Sequence, residues 1–138
     1  MKGDEIESCK KFHIKRSCDN EELAKEINRI DWKITILFYS AVHLVLARMA
    51  DYMPSKYGET GEQRAHRSHS DLFDFIRKDK HLQQIYKPYN ALFELSRRAR
   101  YEVWEPDDYD LEKAIRAFER VKKLFFSTFP DLQKLSRK

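Results

Sequence analysis

Residues 31–52 read DWKITILFYSAVHLVLARMADY, and the way their apolar side chains repeat decides the fold class. Trp32, Ile36, Tyr39, His43, Leu46 and Ala50 recur at steps of four and three, which places them on one stripe of a helix. Phe38, Val42, Val45 and Met49 make a second stripe, and Leu37, Ala41 and Leu44 a third. A helix that is apolar nearly all round needs other helices around it. The uncharged run from Ile34 to Ala47 has 14 residues, short of the roughly 20 that cross a bilayer. The spacing therefore predicts a buried central helix and no membrane partner.

The flanking sequence supplies the surrounding helices. Residues 4–30 are polar, with Ile6, Cys9, Leu23, Ile27 and Ile30 at helical intervals, and SCDN at 17–20 interrupts the pattern. Asp19 with Glu22 can cap a second piece, so two helices or one frayed helix are expected there. Pro54, Gly58 and Gly61 break the chain after the central helix. Thr60 with Gln63, or later Ser68 or Ser70, can start a third helix over about 63–78, with Leu72, Phe75 and Ile76 facing inward. A fourth begins near Gln83, tolerates Pro88 early, and aligns Ile85, Tyr89, Leu92, Ser96, Ala99 and Val103 before Pro106 ends it. Asp107 or Asp108 can cap the last helix, which carries Leu111, Ile115, Phe118, Val121, Leu124 and Phe125, and Pro130 closes it. No stretch alternates as a strand does. The expected architecture is all-α: an antiparallel up-and-down bundle of four to five helices, one domain over 1–138 with its core at about 17–128 and a basic tail at 131–138.

Composition agrees. The chain has 138 residues, 41% hydrophobic and 36% charged, with only 3 Gly and 4 Pro. That is enough for one core and favours long regular elements with charged outer faces. The net charge of +4 is uneven, because residues 53–104 carry ten cationic and seven anionic side chains. This surplus is far milder than the stripe of a dedicated duplex-DNA binder, yet it admits an anionic partner. Cys9 and Cys18 match neither a redox pair nor a four-ligand metal pattern. The charged N-terminus has no apolar signal region. Both features point to a reducing, cytoplasmic setting.

Chemistry concentrates in ELSRRARYEVW, residues 94–104. Arg97, Tyr101 and Trp104 share a helix face, Arg98 lies beside them, and Arg100 is displaced toward the other flank. Guanidinium forks hold phosphate and aromatic rings stack bases, so Arg97, Arg98, Arg100 and Tyr101 are candidates for phosphate or nucleic-acid binding. The same residues also allow a solvated face held by Glu94–Arg98 and Arg98–Glu102 pairs. Small Ser96 and Ala99 permit close helix approach beside the arginines. In QRAHRSHSD, Arg64, His66, Arg67 and His69 place cations at the start of the third helix, where the macrodipole disfavours them unless an anion is near. His66 and His69 are spaced like two metal ligands, but no third ligand is evident, so no metal is assigned. His43, in the central helix, reads as a hydrogen-bonded core residue with Tyr39 as its neighbour. No phosphate loop, nucleophile elbow or other cofactor motif occurs.

Three blocks, DWKITILFYSAVHLVLA, RAHRSHS and YNALFELSRRARYEVW, together resemble the HEPN superfamily of small helical bundles. FYSAVH is similar to that family's aromatic second-helix block, and LSRRARY to its later arginine block; the likeness spans about 17–128. The resemblance implies a four- to five-helix bundle, commonly a two-fold homodimer, associated with toxin–antitoxin, phage-defence or nucleotidyltransferase-linked systems. Many members are metal-independent ribonucleases whose Arg-x(4–6)-His motifs meet at the dimer interface. Here residues 101–105 lack the histidine, while Arg64 and His69 have the spacing in an earlier helix with Ala65 between them. A binder of RNA or nucleotide phosphates without its own catalysis fits best, using Arg64, His66, His69, Arg97, Arg98, Arg100 and Tyr101. One alternative is a ribonuclease pairing Arg64 or Arg98 with His69 or His43 as general acid–base. The other is a protein-interaction module for a nucleotidyltransferase partner.

Overall fold

The computed structural model describes residues 3–52 and 68–136, and every regular element among them is helical. Helix α1 spans Gly3–Glu26 and α2 Ile30–Met49, which continues as a 3-10 turn over Ala50–Tyr52. Helix α3 is His69–Lys78, α4 Tyr86–Tyr101, α5 Asp108–Thr128 and α6 the short Pro130–Gln133, with 3-10 turns at Gln83–Ile85 and Lys134–Ser136. The proposed breakers Pro54, Gly58 and Gly61 and the Thr60–Gln63 cap lie outside the described residues, as do Arg64, His66 and Arg67.

Helix α2 is the hub: α1, α4 and α5 all pack against it. Phe38, Ala41, Val45 and Ala47 are wholly buried, and Ile14, Tyr89, Leu92, Phe118 and Phe125 reach them from the neighbours. Each large apolar side chain removed from water contributes about 1.5–3 kcal/mol, so this contact is the main support of the fold. The second and third stripes of α2 are the buried ones. The first divides along its length: Leu46 and Ala50 are buried, Ile36, Tyr39 and His43 are half-buried, and Trp32, expected inside, is 52% exposed in the polar entry turn. The stretch Ile30–Tyr52 is long and apolar enough to span a membrane by length and composition, and 61% of its most apolar window is buried in the fold.

Three of the local expectations change and one alternative is met. Residues 3–26 form one unbroken helix, because Ser17 is buried and Asp19 pairs with Lys15 one turn back, at 3.1 Å, instead of capping a new helix. Helix α3 starts at one of the caps the sequence offers: the Ser68 hydroxyl accepts from the Asp71 N–H at 3.2 Å. Helix α4 stops at Tyr101, well before Pro106; Glu102 is extended, so Val103 leaves the packing stripe and is fully exposed. Residues 131–136 are not a free basic tail: Leu132 is buried and the Lys134–Ser136 turn lies against α1. Ile115 on α5 is also 43% exposed. Helix α5 opens as foreseen, with Asp107 and Asp110 exchanging side-chain-to-backbone hydrogen bonds at 2.9 Å.

Candidate nucleotide-phosphate site

Helix α4 presents its arginines in two directions. Arg97 pairs with Glu94 at 3.3 Å and with Glu102 at 3.0 Å, on the surface. Arg98 reaches Glu102 at 3.6 Å, and its guanidinium carbon lies 4.1 Å from the centroid of the Trp104 ring. These contacts hold the chain where it leaves the helix, beside a groove of about 520 Å³ lined by Asp31, Ala99, Glu102, Trp104 and Glu105. Of the two ion pairs anticipated for Arg98, the one to Glu102 forms. Exposed pairs of this kind contribute about 0–1 kcal/mol each.

Arg100 turns inward. Its Nη1 donates to the Tyr39 hydroxyl at 2.9 Å and its Nε to the Ser96 carbonyl at 3.2 Å. The guanidinium carbon sits 5.5 Å from the Tyr39 centroid, 5.8 Å from Phe38 and 5.0 Å from Tyr101, whose own ring is 73% exposed. The small residue Ser96, wholly buried where α4 meets α2, allows the close approach that brings Arg100 onto Tyr39.

His69, the first residue of α3, joins the same rings. Its imidazole centroid lies 5.4 Å from Phe38, 5.4 Å from Phe93 and 6.3 Å from Tyr39. Burial, and then the positive charge of Arg100, push its pKa below the ordinary imidazole value, so it is neutral at pH 7. Phe38 thus touches His69, Tyr89, Phe93 and Arg100 together.

One property separates this junction from an ordinary aromatic core. Arg100 Nη2 and His69 Nδ1 are buried without a hydrogen-bond partner, and so are the hydroxyls of Ser40, Tyr89 and Ser96. All five atoms belong to α2, α3 and α4. Leaving such a group unpaired costs about 1–3 kcal/mol, and more when it is charged. Burial raises the Tyr89 phenol, with Tyr39 adding to it, so that hydroxyl stays protonated and is a donor. Of these groups, the Arg100 guanidinium and the His69 imidazole share the Phe38 and Tyr39 rings as neighbours.

His43 lies elsewhere. Its Nδ1 is 2.9 Å from Nδ1 of His13 on α1, with the rings stacked at 29° and centroids 5.1 Å apart. Burial and the Arg16 charge bring His43 down to about 4. Its partner is therefore His13, whereas Tyr39, its expected neighbour, is taken by Arg100. Nothing in the sequence around Phe12–Ile14 marked His13, because its partner is contributed from another helix. Sequence spacing likewise missed the buried Asp79, which accepts from Arg48 Nε at 2.8 Å while Arg48 also holds Asp51 at 2.8 Å. Among the described residues no group of three or more His, Cys, Asp or Glu side chains is placed to hold a metal.

Of the residues singled out in the sequence, then, Arg100 and His69 converge with Tyr39, whereas Arg97 and Arg98 are engaged by Glu94, Glu102 and Trp104. Neither Arg98 nor His43 meets His69. Searches against family models, curated proteins and solved structures find nothing that matches this chain.

Proposed function

We propose that the chain is a HEPN-like module, an antiparallel up-and-down bundle, that holds a phosphate-bearing ligand, RNA or nucleotide, without catalysing its cleavage. The observation that carries this reading is that Arg100 Nη2 and His69 Nδ1 are each buried without a partner while both side chains lie against the Phe38 and Tyr39 rings. Nη2 is charged and its guanidinium is already oriented by Tyr39 and Ser96. An anionic oxygen satisfies it with little further ordering, which is how pre-organised sites gain affinity. The exposed ring of Tyr101, at the end of α4, gives a base a place to stack. A cytoplasmic, homodimeric state belongs to the same reading, supported by the sequence resemblance.

Fluorescence anisotropy with labelled RNA and labelled nucleotides tests it. Arg100→Ala is expected to abolish binding, whereas Arg97→Ala/Arg98→Ala weakens it only a few-fold, because those two side chains are tied to carboxylates. Equal affinity for all three proteins would end the proposal.

A neutral imidazole beside a guanidinium also favours a second reading, a metal-independent endoribonuclease in which Arg100 holds the phosphate and His69 accepts the proton. It requires cleavage of single-stranded RNA in EDTA that disappears in His69→Ala.

A further inference from the structure

We propose that the Arg100–His69 site selects a phosphomonoester, a terminal phosphate that carries its own hydroxyl, over an internal phosphodiester. This rests on the phosphate-binding reading above and specifies the chemical class of its ligand.

The two unpartnered atoms make different demands. Arg100 Nη2 is a permanent donor and needs an acceptor oxygen. Arg100 Nε and Nη1 already donate to the Ser96 carbonyl and the Tyr39 hydroxyl, which leaves Nη2 as the guanidinium nitrogen with no acceptor. His69 is neutral, so its ring holds one proton; with that proton on Nε2, Nδ1 presents a lone pair and needs a donor. A positive guanidinium nearby favours a lone pair over an N–H dipole on the imidazole edge turned to it. A phosphodiester offers two non-bridging oxygens, both acceptors. It can satisfy Arg100 and leaves Nδ1 unpaired. A phosphomonoester has a second ionisation near pH 6, so its monoanion carries a P–O–H group at modest cost near neutrality. One oxygen of that group accepts from Nη2 while the hydroxyl donates to Nδ1. The ligand thus answers both atoms, and a diester answers one.

The surroundings agree with a compact headgroup. Phe38, Tyr39 and Phe93 wall the imidazole, and α3 begins at His69, where the helix end favours negative charge. Arg97 and Arg98, which a threaded polyanion would need as further anchors, are held by Glu94, Glu102 and Trp104.

The test is a titration of the full chain with four probes: inorganic phosphate, adenosine monophosphate, and one short RNA with and without a 5′-phosphate. The phosphorylated RNA is expected to bind about tenfold or more tightly than its unphosphorylated twin, the gain of roughly one charged hydrogen bond. His69→Ala should erase that preference, and adenosine monophosphate should shift the His69 ring 15N resonances of the wild-type protein, a readout independent of how well any variant folds. Equal binding of the two RNAs, both lost in Arg100→Ala, would overturn the monoester preference and leave the phosphate site standing. An unmoved His69 resonance at saturating adenosine monophosphate would also overturn it. Binding of none of the four probes would overturn both.

Discussion

Side chains of one type do different work here because their partners differ. Arg48, Arg97, Arg98 and Arg100 are all half-buried arginines, yet Arg48 neutralises a buried carboxylate, Arg97 and Arg98 lie in surface ion pairs, and only Arg100 keeps a buried donor open. The Arg48–Asp79 pair ties α2 to the end of α3, and the other Asp79 oxygen accepts from the His81 N–H at 2.8 Å. Asp79→Asn removes the buried charge and leaves Arg48 with Asp51 alone, so it should cost about 1–2 kcal/mol in urea unfolding. A loss under 0.5 kcal/mol would mean that solvent reaches the pair. Tyr39 acts on binding instead. Tyr39→Phe keeps the ring and releases Arg100 Nη1, so phosphate affinity should fall several-fold while the unfolding midpoint stays close to wild type.

At the level of elements, what could be foreseen was whatever is local. The central helix follows from three apolar stripes, and the start of α5 from the cap offered by Asp107 or Asp108, which the structure gives to Asp107 with Asp110 answering it. That capping box is exposed but reciprocal, and Asp107→Ala should cost about 1 kcal/mol, measured by thermal unfolding. Loss of nothing would show that Asp108 takes over the cap. Two local signals give way to packing, for physical reasons. The cap signal of Asp19 with Glu22 predicts a break or fraying at 17–20, but Ser17 is packed and Asp19 finds Lys15. The apolar stripe predicts α4 as far as Pro106, but Arg97 and Arg98 both reach Glu102 where the chain turns, with Arg98 stacked on Trp104. The site divides along the same line. Arg100, displaced from the other two on the helical wheel, was legible as the odd member. Its tie to Tyr39 and its nearness to His69 were not, since they join positions 61 residues apart or in different helices.

For the molecule as a whole, the two perturbed histidines make stability depend on pH in a direction that can be worked out. His43 titrates near 4 in the folded chain, against 6.5 for an ordinary imidazole, because burial and Arg16 oppose its charge. Between those values the unfolded chain binds the proton more readily than the folded one, so folding weakens as pH falls from 6.5 toward 4. His69 is shifted in the same direction, by burial and Arg100. Carboxylates such as Asp107, held low mainly by the Asp110 backbone, add their loss only at lower pH still, where they protonate. The histidine window is therefore distinct from general acid unfolding. After allowance for its partial exposure, His43 alone accounts for about 2 kcal/mol across it. Urea midpoints taken at pH 7.5, 6.5, 5.5 and 4.5 should decline steadily in the wild type. His43→Gln keeps a neutral partner for His13 across the α1–α2 contact and removes the titrating group, so its midpoints should decline less. If wild type and variant fall in parallel over that range, the His13–His43 contact does not set the acid sensitivity of the α1–α2 interface, and the carboxylates must act earlier than their surroundings imply.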